Sequence, residues 1–367
     1  MRHRLLTALC VAIITAGTAN CEDHIKVARA GEPPVSSVRS IQTFTLNGVK
    51  LFNNTVIQQP ELDRVVAPYR GKDVAYEQLE IIRNELTKIL IDKGYVSSGV
   101  IITDQEVKDG TVVMTVLQGA LTTIDIEGNR YFKSSYLASR IQRGSEKPLN
   151  MNRLQEALQL LQQDDRIKKI SAELKPGDKP GETTLKAKIV DEFPARLFLD
   201  FGNNGSPSTG SYHGNATLVL WNLLGYGDTL ESKFGMSDGT KDYSARYAVP
   251  LNAADTTVEA YFRKGESTIV EDLFKELNIE STTDTYGVRI SHPLYRTMQN
   301  EVKLSLAGEY RSGTSKLLGE GFSFSAGEDE GKSKASILRF GQQYVNRGTR
   351  HVMALNSTVS AGQTRPK

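Results

Sequence analysis

The sequence predicts an α+β arm of two small domains, each β-α-α-β-β, followed by an antiparallel transmembrane β-barrel of which about nine strands are present. Three observations carry this. Two stretches before Phe193-Pro194 repeat one order of strand, helix, helix, strand, strand. Beyond that point helical periodicity disappears and short alternating strands with polar, Gly-rich breaks take over. No run of eighteen apolar residues exists, so helical spans are excluded, while barrel strands stay hydrophilic on average because lipid-facing and lumen-facing residues alternate.

The chain opens on a secretory signal pattern. Met1 to Arg4 hold two arginines, Leu5 to Ala16 are almost wholly apolar, and Gly17-Thr18-Ala19 offers small residues for cleavage. A signal peptide is expected over 1–21, cut after Ala19, and a Gly/Pro/Ser-containing linker over 22–40. Cys21 lacks the preceding Leu and small-residue run of a lipidation site. Cys10 leaves with the signal, so the mature chain can form no internal disulfide. The 367 residues suffice for two or three domains, and 45 Lys+Arg against 43 Asp+Glu leave no field that would favour nucleic acid.

The first domain is expected over 41–119. Ile41 to Phe52 reads as a strand, and Leu62, Val65 and Val66 give a short helix an apolar face. Asp73 is placed as the cap of a second helix with Leu79, Ile82, Leu86 and Ile89 at helical spacing, and Gly94 stops it. Strands Ser98 to Thr103 and Thr111 to Leu117 flank Asp109-Gly110, a hairpin signal because both residues tolerate positive φ. The second domain, 120–193, repeats the order. Its strand Leu121 to Phe132 ends in Gly128-Asn-Arg-Tyr-Phe132, matched to Gly48-Val-Lys-Leu-Phe52. A helix at Tyr136 to Ile141 follows, then one capped by Asn150 or Asn152 with Leu154, Leu158 and Leu161, then strands Lys168 to Leu174 and Thr183 to Val190.

A three-stranded sheet leaves edge strands to which an extended polypeptide can add by backbone hydrogen bonds. The strand Ser98 to Thr103 beside the helix Tyr76 to Lys93 is the best such edge. Ile82, Ile89, Val100, Ile101 and Ile102 are therefore the candidate client-binding residues, with core packing as the competing reading of the same side chains.

From 194 to 367 nine strands are expected: Arg196–Phe201, Tyr212–Trp221, Asp228–Met236, Tyr243–Val249, Thr256–Arg263, Thr285–Ser291, Val302–Tyr310, Ala335–Tyr344 and His351–Ser360. Breaks at Asn222 to Gly227 and Pro250 to Asp255 are compact, whereas Gly265 to Asp284 and Ser312 to Ser333 are long and charged, the asymmetry of outer-membrane barrels. Tyrosines near strand ends fit aromatic girdles, although soluble sandwiches place them there too.

Enzyme readings fall short. Gly327 to Ser333 looks like a phosphate loop, but it is one residue short between the glycines and acidic. His24, His213, His292 and His351 are scattered without metal-ligand spacing, and no Gly-x-Ser-x-Gly elbow or Cys/His pairing occurs. Glu328-Asp329-Glu330 reads as a solvated loop. No cofactor, nucleotide, metal or enzymatic activity is expected.

These residues resemble the outer-membrane transporters of two-partner secretion, the haemolysin-activator and filamentous-haemagglutinin-transporter type within the Omp85 superfamily. The matching stretches are Gly94-Tyr95, Gln105, Asp109-Gly110 and Gln118-Gly119 in the first domain, and Leu149-Asn150, Leu174 and Pro176-Gly177 in the second. In the strand-rich part they are Asp200, Asn203 to Ser206, Asn222 to Asp228, Tyr247 to Leu251 and Ser291 to Arg296. The resemblance implies two periplasmic POTRA domains and a sixteen-stranded barrel. It also implies an outer-membrane location in a Gram-negative cell, contact with outer-membrane lipid, and a secreted exoprotein partner of the TpsA type that is captured unfolded through its N-terminal domain. The chain departs from the family pattern at Thr103-Asp104, where a Pro is usual, and at Asp164-Asp165-Arg166, where Leu-Pro-Gly is usual. No Arg-Gly pair has the context of the family's lumenal loop, and nine strands make about half a barrel, so a C-terminal truncation is expected; an open half-barrel would leave bare edges in lipid. Secretion of a cargo is the expected function. The alternatives are an assembly factor for other outer-membrane proteins and a truncated binding module that transports nothing.

Overall fold

The computed structural model describes residues 43–325 and 328–364; the expected signal peptide and linker lie outside them. Contacts divide the chain into two compact bodies. One runs through Glu127 and takes in Ile141–Ala157 and Ile170–Ile189, and the other comprises Gly128–Arg140, Leu158–Lys169 and Val190 onward.

The first repeat contains β1 (Phe44–Thr45), β2 (Gly48–Phe52), α1 (Gln59–Val66), β3 (Asp73–Val74), α2 (Tyr76–Asp92), β4 (Gly99–Ile102) and β5 (Thr111–Leu117). β5 lies between β2, to which it is parallel, and β4, to which it is antiparallel. The core comes entirely from this repeat. Leu62, Val65 and Val66 of α1 and Leu79, Ile82, Leu86 and Leu90 of α2 close over Val49, Val100, Val112, Met114 and Val116. A body with its own complete core can fold alone.

Two expectations change here. Ile41 to Phe52 is not one strand, because the chain breaks at Leu46-Asn47 and β1 pairs with β3 instead. Asp73 therefore sits in a strand, where it accepts a hydrogen bond from the Thr45 hydroxyl at 2.7 Å. The cap of α2 is formed by Gln78, whose side chain accepts the Ala75 N–H at 2.8 Å. Gly94 does end α2, at φ +91, a conformation that would strain any side chain.

At the start of α1, the Glu61 carboxylate accepts the Gln58 N–H at 2.9 Å and takes Lys93 Nζ at 2.5 Å. The hydrogen bond from Lys93 holds the Glu61 carboxyl below its ordinary value of 4.5. A lowered carboxyl pKa contributes stability above the unfolded-state value and loses it as pH falls through the folded one. The melting temperature of the isolated first repeat should accordingly drop as pH falls below 4.5. Glu61→Gln should flatten that part of the profile. Parallel profiles for parent and variant would show that the pair contributes nothing.

The second repeat contains β6 (Ala120–Glu127), α3 (Ser134–Gln142), α4 (Met151–Gln162), β7 (Ile167–Pro176) and β8 (Glu182–Asp191), with β8 between parallel β6 and β7. The internal repeat is thus a repeat of topology. The Gly-x-basic-x-Phe match is not, since Gly48–Phe52 is strand whereas Gly128 to Phe132 follows β6 as a turn. That turn is held by one carboxylate oxygen of Asp191, which accepts the N–H groups of Arg130, Tyr131 and Phe132 at 2.6–3.1 Å. Asn150 caps α4 through the N–H groups of Asn152 and Arg153, and its amide donates to the Lys93 carbonyl at 3.0 Å. The Met151 N–H meets the Gly94 carbonyl at 2.8 Å, so the C-terminus of α2 abuts the N-terminus of α4 with dipoles head to tail.

The remaining chain is one antiparallel meander: β9 (Ala195–Gly202), β10 (His213–Trp221), β11 (Thr229–Ser237), β12 (Thr240–Pro250), β13 (Thr257–Thr268), β14 (Glu280–Arg296), β15 (Asn300–Leu317), the two-residue β16 (Glu320–Gly321), β17 (Lys332–Arg347) and β18 (Val352–Thr364). The nine long strands are those expected from sequence, but several run further. The charged stretches expected as loops are largely hairpin extensions, with β13 and β14 pairing out to Thr268↔Glu280 and β14 and β15 to Glu280↔Lys316. Their ends are rich in Thr and Ser on both faces, so no apolar alternation marks them, while β-branched residues still favour the ladder. At the other end, segments 222–228, 251–256, 297–299 and 348–351 are tight. The length asymmetry has one exception, the two-residue Asp238-Gly239 connection on the long-loop side. The phosphate-loop look-alike falls here: Gly327 is outside the described residues, and Asp329 and Lys332 close a hairpin turn ahead of β17.

Candidate functional site

Three surfaces can do chemistry or binding. The first is the β4 edge. Ile82 and Val100 are core residues with 0 % and 2 % exposure, and Ile89 and Ile102 pack against the same core. Of the five candidate residues only Ile101 projects outward, at 40 % exposure. The available surface is therefore narrower than the sequence reading, because an alternating edge strand beside a helix gives one face to the core. The backbone of the edge adds a feature that sequence does not show. The Val100 N–H, facing away from β5, donates to Thr87 Oγ1 on α2 at 3.0 Å. Beyond Ile102 the place beside β5 is taken by Gln105, whose amide donates to the Val113 carbonyl at 2.6 Å and accepts its N–H at 2.8 Å. The open edge is thus four uncharged residues, Gly99–Ile102. Of the two edge strands of the second repeat, β6 and β7, β7 carries Lys168, Lys169 and Lys175, which discourage strand addition there.

The second surface is the large sheet, whose register sorts residues onto two chemically opposite faces. Val249, Val258, Ile290, Leu306, Phe340 and Val359 are successive cross-strand partners on one face, and every one is apolar. Val288, Leu338 and Val359 on that face are more than half exposed. An apolar band of this breadth belongs against hydrocarbon, not water. One residue out of phase, the row Ala248, Glu259, Arg289, Ala307, Arg339 and Ser360 faces the other way. This face carries linked ion pairs: Arg246 to Glu231 at 2.9 Å and to Glu259 at 3.4 Å, Arg289 to Glu259 at 3.2 Å, and Arg339 to Glu309 at 2.9 Å. The Tyr261 hydroxyl also donates to Glu309.

The third is a joint between α3 and the tight turns of the sheet. The Lys133 N–H donates to the Gly225 carbonyl at 2.8 Å, and Lys133 Nζ stands 4.1 Å over the Tyr226 ring. Arg140 lies 3.5 Å over the Tyr136 ring and pairs with Asp255 at 2.5 Å; Asp255 also takes Arg296 at 2.7 Å. Arg166 forks onto the Asp164 carboxylate at 2.6 and 2.7 Å and donates its remaining end to the Gly227 carbonyl. Gly227 has φ +73, and a Cβ there would run into the Tyr136 phenol, so only glycine fits. Burial pushes the Tyr136 hydroxyl up to about 12. Asp228, fully buried, ties the turn by accepting the Leu224 N–H and the Tyr247 hydroxyl, each at 3.0 Å. Sequence reading passed over Asp164 and Arg166 as a tolerable departure. Their only signal was an Asp-x-Arg at the exit of a helix, which belongs to neither the 3.6 nor the 2 period.

Residues 44–119 match the POTRA domain, ShlB-type, and residues 181–352 match the haemolysin secretion/activation protein ShlB/FhaC/HecB. Among curated relatives, the outer membrane transporter CdiB of Escherichia coli is 25% identical over 285 residues, covering 75% of this chain and 47% of its own. The heme/hemopexin transporter protein HuxB of Haemophilus influenzae is 23% identical over 304 residues, covering 78% and 52%. The chain thus spans about half the length of these relatives. Among solved structures, CdiB from Escherichia coli superposes with a TM-score of 0.61 at 22% identity, covering 90% of this chain and 61% of that one; CdiB from Acinetobacter baumannii does so at 0.55 and 17%, covering 90% and 65%. These likenesses show the fold: POTRA units followed by an antiparallel barrel-type sheet. Two ShlB-type matches thus stand in this order along one chain, the POTRA match over residues 44–119 and the ShlB/FhaC/HecB match over residues 181–352.

Proposed function

We propose that this protein is an outer-membrane translocator of two-partner secretion. Its POTRA domains stand in the periplasm and receive an unfolded exoprotein of the TpsA type through that protein's N-terminal domain. The barrel-type sheet passes the chain outward across the membrane. The observation that carries the reading is the sorting of the sheet into one face with an unbroken apolar row across six strands and one face with linked ion pairs, directly after two POTRA units. The names of the related transporters point the same way. No nucleotide is used, and folding of the cargo outside supplies the drive.

The test is fractionation and secretion together. Expressed with a cognate exoprotein in a Gram-negative host, the protein should resist carbonate and urea extraction from outer membranes and should raise the exoprotein in the medium. Recovery in the soluble periplasm with cargo bound but retained would support a non-transporting binding module instead. A fall in other outer-membrane proteins on its loss would support an assembly factor.

Client entry is assigned to the β4 edge. There Val100 offers its outward backbone groups once Thr87 lets go. Thr87→Val keeps the shape and removes the hydroxyl, leaving the Val100 N–H free for an incoming strand. Binding of the exoprotein N-terminal domain to the isolated first repeat should tighten about fivefold, the worth of one net hydrogen bond. Unchanged or weaker binding, read by titration calorimetry, would place the client elsewhere.

A further inference from the structure

We propose that the charged face of the sheet is a guanidinium-lined track for acidic stretches of an extended polypeptide; this rests on reading that face as the lumenal wall. The ion pairs are layered. The Glu259 and Glu309 side chains are 15% and 11% exposed, whereas Arg246, Arg289 and Arg339 are 48%, 39% and 38% exposed. Each carboxylate is engaged twice, Glu259 by two arginines and Glu309 by Arg339 and Tyr261. An ionised carboxylate only accepts, and these two are largely satisfied from below. A guanidinium has five N–H donors, and Arg289 spends one of them on Glu259. The spare donors are therefore those of the exposed partner. Arg263, on the same face, stands 5.5 Å from the Tyr261 ring centre and has no ion-pair partner among the described residues. The carboxylates thus act as buried counter-charges that fix the arginines in place, and what the face offers to an arriving chain is N–H groups with positive charge.

Charge complementarity selects an acidic partner, and Arg presents a fork that matches a carboxylate. Arg246, Arg289 and Arg339 stand on β12, β14 and β17, alternate strands of the sheet and thus about 10 Å from one to the next, so the three do not form a single pocket. That suits carboxylates spread along an extended chain and not a single compact anion. The attraction is weak at each station, which lets a chain bind without being trapped.

The full chain is refolded in detergent micelles and titrated into fluorescein-labelled oligo-glutamate, with oligo-lysine as counter-probe, by fluorescence anisotropy at low ionic strength. Oligo-glutamate should bind and oligo-lysine should not, and added salt should weaken the binding. Arg289→Gln with Arg339→Gln should weaken it about tenfold. Glu259→Gln should strengthen it, a gain that a purely structural role for the ion pairs cannot produce. Lys241→Gln, on the apolar face, should leave it unchanged. Preference for oligo-lysine, indifference to the arginine pair, or a loss with Glu259→Gln parallel to theirs would overturn the proposal. The secretion assay separates the two readings: secretion without oligo-glutamate binding overturns the track alone, and binding without secretion overturns transport alone.

Discussion

Val100→Asp is expected to unfold the first POTRA domain, while Ile101→Asp, one residue along the same strand, is expected to leave it folded. Val100 is 2 % exposed and packs within a core built from α1, α2 and β5. A carboxylate placed there has no partner, so it must either stay charged in an apolar site or fold only when protonated. Both routes cost about 4 kcal/mol or more. A domain of this size holds a total stability of only about 4–10 kcal/mol. Circular dichroism of the isolated repeat at pH 7 should therefore show lost helix for Val100→Asp. Ile101 is 40 % exposed and points away from that core. Its substitution by Asp should shift the melting temperature little, yet weaken exoprotein binding by removing apolar contact from the edge. A folded Val100→Asp, or an Ile101→Asp that melts as early, would contradict the inside-outside order on which the client site rests.

The same two residues show how much was legible in the sequence. Alternation along Ser98 to Thr103 gave the strand and its two faces, but not which backbone groups of the edge were already spoken for. Thr87 and Val100 are thirteen apart, and a hydroxyl on a helix carries no period that points to a strand. The nine long strands of the sheet were legible because membrane strands must alternate over their apolar span. Their extensions beyond it were not, because Thr282 and Thr314 pair where both faces are polar. The cap of α2 was misread for a local reason. Asp73 is a strong cap type, yet pairing of β1 with β3 claimed it, and Gln78 did the work from inside the helix. The joint between α3 and the sheet turns was invisible, since it is made by residues with no shared period and far apart in sequence.

That joint gives the second large effect. Arg166→Ala is expected to loosen the second repeat from the turn at Gly227 at a cost of about 3 kcal/mol. The Arg166 and Asp164 side chains are 19% and 18% exposed, so removing the guanidinium strands a mostly buried carboxylate. It also leaves the Gly227 carbonyl without that donor. Burial pulls the Arg166 guanidinium down, and the hydrogen bond and charge of Asp164 more than offset it, so it stands above its ordinary value and the pair acts as one unit. Arg166→Lys should not rescue, because a single ammonium cannot fork onto Asp164 and reach Gly227 at once. Arg140→Ala should cost less: it loses its pairing with Asp255, but Asp255 keeps Arg296 at 2.7 Å. Hydrogen exchange of the full chain in detergent reads this directly. In Arg166→Ala the amides of Lys133 and Leu224 should lose protection while those of β4 and β5 keep theirs. Arg140→Ala should show a smaller change at the same amides. Equal protection in Arg166→Ala and the parent would mean that the turn is held by Asp228 and the Lys133 backbone alone, and that Arg166 only fills space.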